Sequence, residues 1–204
     1  MPAARGLVIP ERCCGVLVDV QEFFLAQVDA PLRTKLETNT GHFARLLDIF
    51  RIPLLVTVEN PLETKGLLPE AIAGRIGKNA ATFDKNYFDL TRERKIAAHL
   101  RNLSKKQMIV AGCETDVCVL QSCLGLLRMG FEVFVVEELL FSSSPNVASA
   151  IERMKAAGVT FLTYKSLYYE LMQAVGGGRY LRKLAADVAE FPPDVPDSLD
   201  EQLE

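Results

Sequence analysis

Five short runs of aliphatic and β-branched residues recur along the chain and constrain its fold more than any other feature. They are CGVLVDV (14–20), PLLVTV (53–58), QMIVAG (107–112), FEVFVV (131–136) and VTFLTY (159–164). The runs are nearly continuous in apolar character, with little alternation, which is typical of strands buried on both faces. They therefore predict a central sheet that is covered by other structure on each side.

Helical patterns separate these runs. Residues 92–103 and 117–129 carry apolar side chains at the spacing of one helix face. Ser144 with Pro145 predicts the start of a later helix, and Gly158 predicts its end. The alternation of strands and helices predicts an α/β protein, a three-layer α/β/α sandwich with a mostly parallel sheet. Because such folds bind ligands beyond the carboxyl ends of the strands, candidate site residues are expected there.

Length and composition fit a single domain that spans residues 1–204. The chain has 204 residues, of which 49% are hydrophobic, enough for one sizeable core. Residues 59–90 are the least regular stretch and are predicted to form loops with a short helix or strand. Residues 165–184 have a helical pattern, and the acidic, proline-rich residues 190–204 are predicted to form a loose arm or to pack on a neighbouring subunit.

The charge of the chain limits its partners. The formal net charge is −3 and the basic residues are scattered, which predicts neither a nucleic-acid nor a membrane partner and favours a small neutral or acidic metabolite. No apolar run approaches the roughly 20 residues that cross a bilayer, and the N-terminus has no signal-peptide core. These features predict a soluble, cytoplasmic protein whose five cysteines are reduced thiols.

Three side chains could carry chemistry. Asp19 ends the first strand and is either a turn or cap residue or a base. Cys118 lies just inside a predicted helix start, where amide dipoles favour a thiolate, although a free cysteine also serves as a small core residue. Lys85 lies between Asp84 and Asn86 and is either a surface residue or a cation for the site.

The combination of the three is more informative than any one of them. A thiol that attacks a carbonyl or imine carbon needs a base, a cation that favours the thiolate, and amide donors for the developing oxyanion. Asp19, Lys85 and Cys118, with the turn at residues 113–118, could supply all of these. The two histidines, His42 and His99, lie in predicted helices, so we predict no metal and no cofactor.

Three segments resemble the isochorismatase-like cysteine hydrolases, a family that includes isochorismatase, nicotinamidase and N-carbamoylsarcosine amidase. They are LVDVQEFF, FDKNYF and, most specifically, VAGCETDVCVLQSCLGLLRMGFEVFVV. The resemblance covers most of the chain and implies a Rossmann-like fold with a six-stranded sheet. Through these motifs the family's Asp, Lys and Cys fall on Asp19, Lys85 and Cys118. The resemblance also implies a cis peptide bond between Cys113 and Glu114, with the backbone amides of Glu114 and Cys118 forming the oxyanion hole.

The chain also departs from part of the family. The family's nicotinamidases hold a metal with an Asp and two His beyond the second strand, where this chain has VTVENPLETKG. That difference disfavours nicotinamidase activity, and the segments TVENP and KGLLPE look closer to the isochorismatase domain-containing branch. A dianion such as isochorismate would need more than one cation, yet Arg75, Lys65 and Lys78 are expected to be solvated surface residues.

These features together predict a cysteine hydrolase that acts on a C–N or C–O bond of a small molecule through an Asp–Lys–Cys triad and a covalent intermediate. Phe23, Glu59 and Asn60 follow strand ends or the base and are predicted to line the substrate pocket. The rival hypothesis is a catalytically idle family scaffold that serves as an interaction or oligomeric partner. The resemblance further implies a homo-oligomer, either a dimer or a tetramer.

Overall fold

The computed structural model describes residues 6–173, which form a six-stranded sheet in which every neighbouring pair is parallel. The strands are β1 (Cys13–Val18), β2 (Leu54–Glu59), β3 (Ala80–Lys85), β4 (Gln107–Gly112), β5 (Glu132–Leu140) and β6 (Thr160–Leu162). Their order across the sheet is β3-β2-β1-β4-β5-β6. The predicted α/β architecture, with its six-stranded Rossmann-like sheet, is confirmed.

Helices connect the strands and cover both faces of the sheet. They are α1 (Glu22–Leu25), α2 (Ala30–Ile49), α3 (Leu62–Lys65), α4 (Glu70–Ala73), α5 (Arg94–Asn102), α6 (Leu120–Arg128), α7 (Ala148–Ala157) and α8 (Tyr164–Met172). The long helix α2 begins where Asp29 accepts the backbone N–H of Leu32 at 2.8 Å, which satisfies one of the free amides of the first turn.

Alternate residues of each central strand enter two different cores. In β1, Cys13 and Leu17 pack with α2 and α8, whereas Val16 and Val18 pack with α5, α6 and α7. All residues of β1, β2 and β4 are buried. Because a strand directs successive side chains to opposite faces, burial on both faces requires apolar residues at almost every position. This requirement explains the continuous apolar runs of the sequence.

The sheet has its topological switch point between β1 and β4. After β1 the chain continues into α2 on one face, and after β4 it continues into α6 on the other. Connections that diverge in this way leave a crevice at the carboxyl ends of the two strands. Gly112 ends β4 there with a φ of 122°, and a Cβ at this position would lie 2.1 Å from the carbonyl oxygen of Val18. Glycine is therefore required for the two strand ends to come together.

Local boundaries differ from the prediction at one helix. Ser144 does not cap a helix, because α7 begins at Ala148; the hydroxyl of Ser144 instead accepts the N–H of Asn146 at 3.1 Å. Such turns compete with helix capping when serine precedes proline. Gly158 ends α7 in the left-handed conformation, as predicted. The irregular residues 59–90 contain two short helices and β3, which lies at one edge of the sheet.

Part of the C-terminal prediction lies outside the described residues. The helical pattern of residues 165–184 is met by α8 as far as Met172. The remainder of that pattern and residues 190–204 are not among the described residues. Within residues 6–173, no helix combines the length and the apolar character that a membrane span requires.

Candidate active site

Charged and nucleophilic side chains converge at the carboxyl ends of the strands. Asp19 follows β1, Glu59 and Lys85 are the last residues of β2 and β3, and Cys118 lies in a π-helical turn (Thr115–Val119) between β4 and α6. Glu59 and Lys85 are register partners. Side-chain atoms of Asp19, Glu59 and Cys118 lie within 4.8 Å of one another. The structure therefore brings the three predicted triad side chains together and adds Glu59 to them.

Asp19 and Lys85 form an ion pair at the centre of this site. Nζ of Lys85 lies 2.7 Å from Oδ2 of Asp19, and neither side chain is exposed. The hydroxyl of Thr57 donates to the other carboxylate oxygen, Oδ1, at 2.8 Å. The backbone of Asp19 is left-handed, with a φ of 50°, which Asp tolerates better than most residues. Removal of the Lys85 charge would leave the carboxylate of Asp19 buried without its cation.

Cys118 contacts two charged groups through its sulfur. Sγ lies 3.5 Å from Nζ of Lys85 and donates a hydrogen bond to Oε2 of Glu59 at 3.0 Å. Burial raises the pKa of the Cys118 thiol, the Asp19 carboxylate raises it further, and Lys85 opposes them only in part. Desolvation and two neighbouring carboxylates therefore favour the protonated thiol, the opposite of the direction that the helix start predicted.

Glu59, predicted to line the substrate pocket, lies instead among the charged residues at the centre of the site. Its Oε2 accepts a hydrogen bond from Lys85 at 3.0 Å, and its Oε1 forms an ion pair with Lys65. The Lys65 side chain is only 19% exposed, so the prediction of a solvated surface role for Lys65 is wrong. The fully buried Gln21 accepts the backbone N–H of Glu59 at 2.6 Å and donates to its carbonyl at 3.2 Å.

The environments of the two carboxylates shift their pKa values apart. Burial raises the pKa of Asp19 above its ordinary value, and the ion pair with Lys85 offsets this only in part. Burial also acts to raise the pKa of Glu59, but the hydrogen bonds from Lys65 and Cys118 and the charge of Lys85 outweigh it, so the pKa is lowered. Asp19 is thus the better proton acceptor, and Glu59 is the more firmly ionised group.

Contacts on two sides hold the turn that carries Cys118. The peptide bond between Cys113 and Glu114 is cis, as the resemblance implied. The Cys113 thiol donates to the carbonyl oxygen of Asp19 at 3.0 Å, which joins the turn to β1. The carboxylate of Glu114 accepts the N–H of Ser143 at 3.0 Å and its hydroxyl at 2.9 Å, which joins the turn to the segment after β5. The amides of Glu114 and Cys118 remain a predicted oxyanion hole.

The other two predicted pocket residues lie farther toward the surface. Phe23, in α1, is 45% exposed and packs edge-to-face on Phe24 with ring centroids 5.3 Å apart. Asn60 donates to Asp84 at 3.2 Å and to Asn86 at 3.1 Å. Both partners of Asn60 line a surface groove of about 380 Å³ beside the end of β3. The backbone N–H of Asn60 donates to the carbonyl oxygen of Lys85 at 3.0 Å, and the role of Phe23 and Asn60 as pocket linings stays a prediction.

A metal does not suit the centre of this site. Asp19, Glu59 and Cys118 are the one group with metal-ligand spacing among residues 6–173. Nζ of Lys85 lies 2.7 Å from Asp19, 3.0 Å from Glu59 and 3.5 Å from the sulfur of Cys118. This ammonium group already compensates the charge of the cluster and would repel a divalent cation among the same atoms. We therefore assign no metal to these residues.

Gln21 and Thr57 contribute to the site although the sequence analysis did not single them out. A usable signal exists for Thr57, because Thr57 and Glu59 are the polar residues of an otherwise apolar strand and are spaced by two, which places them on one face. Gln21 has a weaker signal in the sequence, because it is only one polar residue in the turn after β1. The structure shows that it is fully buried and that its side chain bonds to the backbone of Glu59 in β2, a contact that sequence periodicity does not reveal.

Comparison with known families agrees with this fold. The family model for the Isochorismatase domain matches residues 13–166. The chain belongs to the isochorismatase family. It is 30% identical over 179 residues to isochorismatase domain-containing protein 2 from Rattus norvegicus, with 85% of this chain and 81% of the relative covered. It is 29% identical over 185 residues to the secreted isochorismatase effector Isc1 from Phytophthora sojae, with 86% and 84% covered.

The isochorismatase-family fold is also present in a solved structure of known assembly. The YcaC gene product of Escherichia coli, described as an octameric hydrolase of unknown specificity, has a TM-score of 0.84 to this chain. The match covers 98% of this chain and 96% of the other at 22% sequence identity. At that identity the likeness establishes a shared fold alone.

Proposed function

We propose that this isochorismatase-family protein is a cysteine hydrolase that cleaves a C–N or C–O bond of a small molecule. Cys118 is the nucleophile, Asp19 is the base, and Lys85 is the cation that stabilises the thiolate. One observation carries the proposal: Asp19 and Lys85 form an unexposed ion pair of 2.7 Å, and Nζ of Lys85 lies 3.5 Å from the sulfur of Cys118. Buried charges beside a thiol are typical of a catalytic site.

The first step of the proposed reaction forms a bond between sulfur and the electrophilic carbon. The S–H bond of Cys118 breaks, its proton passes to Asp19, and the sulfur electron pair attacks a carbonyl carbon. The π electrons of the C=O bond move to oxygen, where the amides of Glu114 and Cys118 stabilise the negative charge. When the C=O bond re-forms, the C–N or C–O bond breaks and the leaving atom takes the proton from Asp19.

The second step releases the acyl group. Asp19 takes a proton from water, the resulting hydroxide attacks the thioester carbon, and the C–S bond breaks with return of a proton to sulfur. Lys85 stays protonated in both steps, because attraction to Asp19 and the thiol outweighs burial and raises the pKa of Lys85. Its charge offsets the negative charge that moves between Asp19 and sulfur.

The charge balance of the site favours an uncharged substrate. Asp19 and Glu59 are paired with Lys85 and Lys65, so the four side chains carry no net charge. A substrate carboxylate would add negative charge beside the carboxylates and the forming thiolate. Small amides and ureides are therefore better substrates for this site than the dianion isochorismate.

Access to the sulfur requires side-chain movement. Cys118 is 2% exposed, so a substrate reaches it only after covering groups shift. The exposed fraction of the side chain is 0% for Asp19 and Lys85, 9% for Glu59 and 19% for Lys65. Lys65 therefore lies on the solvent side of the four charged groups. Phe23 and Asn60 complete the proposed pocket on its outer side.

Turnover of a substrate panel tests the assignment. The panel contains small amides, ureides and isochorismate. Cys118→Ala is expected to abolish hydrolysis, and Asp19→Asn is expected to lower kcat by at least about 10²-fold, the loss typical when general acid–base catalysis is removed. Cys123→Ala is the matched control, because Cys123 belongs to the same buried cluster but burial alone raises its pKa, with no contribution from the charged groups of the site; its rate is expected to stay at the wild-type value. A full rate for Cys118→Ala or Asp19→Asn would show that the nucleophile or the base is misassigned.

Alkylation distinguishes the enzyme from a catalytically idle scaffold without a known substrate. Iodoacetamide and iodoacetate differ in charge and deliver related groups to sulfur. Peptide mapping is expected to find iodoacetamide on Cys118 well before Cys123, and the rate ratio of iodoacetamide to iodoacetate is expected to exceed the ratio for glutathione. Equal labelling of the two cysteines would favour the idle scaffold, and a ratio equal to that of glutathione would refute the preference for uncharged substrates.

The remaining expectations concern the whole protein. Homo-oligomeric assembly is supported by the octameric YcaC structure, and sedimentation equilibrium of the full chain measures it. Residues 1–204 as a single domain, a small-molecule substrate without nucleic-acid or membrane partners, and a cytoplasmic location stay predictions. The secreted relative from Phytophthora sojae shows that location differs from the prediction in at least one member of the family.

A further inference from the structure

The thiol of Cys118 donates its hydrogen bond to a carboxylate that is not the proposed base. Cys118 donates its hydrogen bond to Oε2 of Glu59 at 3.0 Å. The carboxylate oxygen Oδ2 of Asp19 is instead 2.7 Å from Nζ of Lys85. The carboxylate that accepts the thiol hydrogen bond, Glu59, therefore differs from the carboxylate whose pKa is raised, Asp19.

Contacts on both its backbone and its carboxylate hold Glu59 in this position. Gln21 binds its N–H at 2.6 Å and its carbonyl at 3.2 Å. Lys65 and Lys85 bind the two carboxylate oxygens. Gln21 also donates to the carbonyl of Gly66 at 2.8 Å, so the same side chain fixes the segment that carries Lys65. Such complete satisfaction is the arrangement expected of a side chain whose orientation matters.

We propose that Glu59 is a positioning residue for the nucleophile: it accepts the hydrogen bond of the Cys118 thiol and keeps the sulfur protonated until a substrate separates the two. The inference rests on the proposed role of Cys118. Once Glu59 is displaced, the S–H proton passes to Asp19 and the electron pair stays on sulfur, as the proposed reaction requires. The fraction of reactive thiolate therefore rises when a substrate separates the two groups.

Several charged and titratable groups face the sulfur from the surrounding elements. They are Asp19 after β1, Glu59 at the end of β2, Lys85 at the end of β3 and Cys113 after β4. Asp19 and Lys85 lie 2.7 Å apart and largely offset each other. Glu59 is the one of these groups that both carries a negative charge and accepts the thiol hydrogen bond. Loss of its charge therefore favours the thiolate.

Titration of the thiolate in Glu59→Gln tests the proposal on the full chain. The thiolate of Cys118 is measured as the difference in ultraviolet absorbance between each protein and its Cys118→Ala version, which does not depend on access of a reagent. The titration is expected to shift to lower pH by about one unit or more, so that the thiolate signal at a fixed pH below the midpoint rises about tenfold. Glu63→Gln is the control, because it removes an exposed carboxylate from the same short helix as Lys65; its titration stays unchanged.

A shorter carboxylate provides a second variant. Glu59→Asp keeps the charge but withdraws it by one methylene group, and its titration is expected to lie between those of the wild type and Glu59→Gln. This variant carries the test if Glu59→Gln does not fold. A titration of Glu59→Gln or Glu59→Asp at or above the wild-type position would overturn the proposal.

Turnover separates positioning from a base role. With a substrate from the panel, the rising limb of the pH profile of kcat/KM reports the base, Asp19, and is expected to move to lower pH in Glu59→Gln, because the charge of Glu59 raises the pKa of Asp19. If Glu59 were the base, this limb would disappear and Asp19→Asn would retain its rate. An unchanged titration with Cys118-dependent turnover would refute only the role of Glu59, whereas turnover that survives Cys118→Ala would refute the proposed function.

Discussion

Replacement of Lys85 is the most direct test of the buried charge cluster, and it requires no substrate. Lys85→Met keeps a long, flexible side chain but leaves the unexposed Asp19 and the nearly buried Glu59 without their shared cation. At an effective dielectric constant of about 20, charges separated by 2.7 Å attract by about 6 kcal/mol before desolvation is subtracted. Breaking a buried ion pair costs about 3–5 kcal/mol in measured cases, and we expect a loss of unfolding free energy in this range.

A double-mutant cycle isolates the contact between Lys85 and Asp19. Asp19→Asn retains an acceptor for Thr57 and leaves Lys85 paired with Glu59, so it should destabilise less than Lys85→Met. In the double variant one of the two orphaned carboxylates is gone, and its loss of stability should fall short of the sum of the single losses by about 1–3 kcal/mol. Urea denaturation with a constant m value measures all four proteins.

An exposed lysine provides the control for this cycle. Lys95→Met removes an exposed lysine of α5 and should change stability by less than about 0.5 kcal/mol. Strict additivity of Lys85→Met and Asp19→Asn would show that the two charges do not interact in the folded protein. In that case, the convergence of the strand ends would not create the proposed site.

Two further predictions follow from single features of the structure. Because burial and Asp19 raise the pKa of the Cys118 thiol, its alkylation rate should continue to rise about tenfold per pH unit above the ordinary thiol pKa of about 8.5; a plateau of the iodoacetamide rate near that value would contradict the raised pKa. Gly112→Ala should lower the free energy of unfolding by about 1–3 kcal/mol, because its Cβ would lie 2.1 Å from the oxygen of Val18. Gly130 also has a positive φ but nothing within 4 Å of its added Cβ, so Gly130→Ala should lower it less. Urea denaturation measures both variants, and equal losses would refute the steric explanation.

The sequence is sufficient to predict the fold class because each central strand carries its own signal. A strand buried on both faces must be apolar at nearly every position, and β1, β2 and β4 meet this requirement. The edge strand β3 lacks such a signal, because five of its six residues are partly buried or exposed and its sequence, AATFDK, is mixed in polarity. The start of α7 was predicted wrongly because Ser144 bonds locally to Asn146 instead of capping the helix.

The candidate site is predictable to the extent that its residues end strands or resemble family motifs. Asp19, Lys85 and Cys118 satisfy one or both conditions, and the structure brings them together. Lys65 satisfies neither, since nothing in its local sequence separates a surface lysine from one that binds Glu59. The central position of Glu59 likewise depends on the register between β2 and β3, in which it is opposite Lys85.

The sequence by itself determined which residues could do chemistry and which strands would carry them, because hydrophobic periodicity and residue type are local properties. Only the tertiary structure decided the ionisation of the thiol. The pKa of Cys118 depends on burial and on the distances to Asp19, Glu59 and Lys85. These four residues come from four separate segments of the chain. Coulomb energies and desolvation vary steeply over a few ångströms, and a one-dimensional pattern contains no such distances.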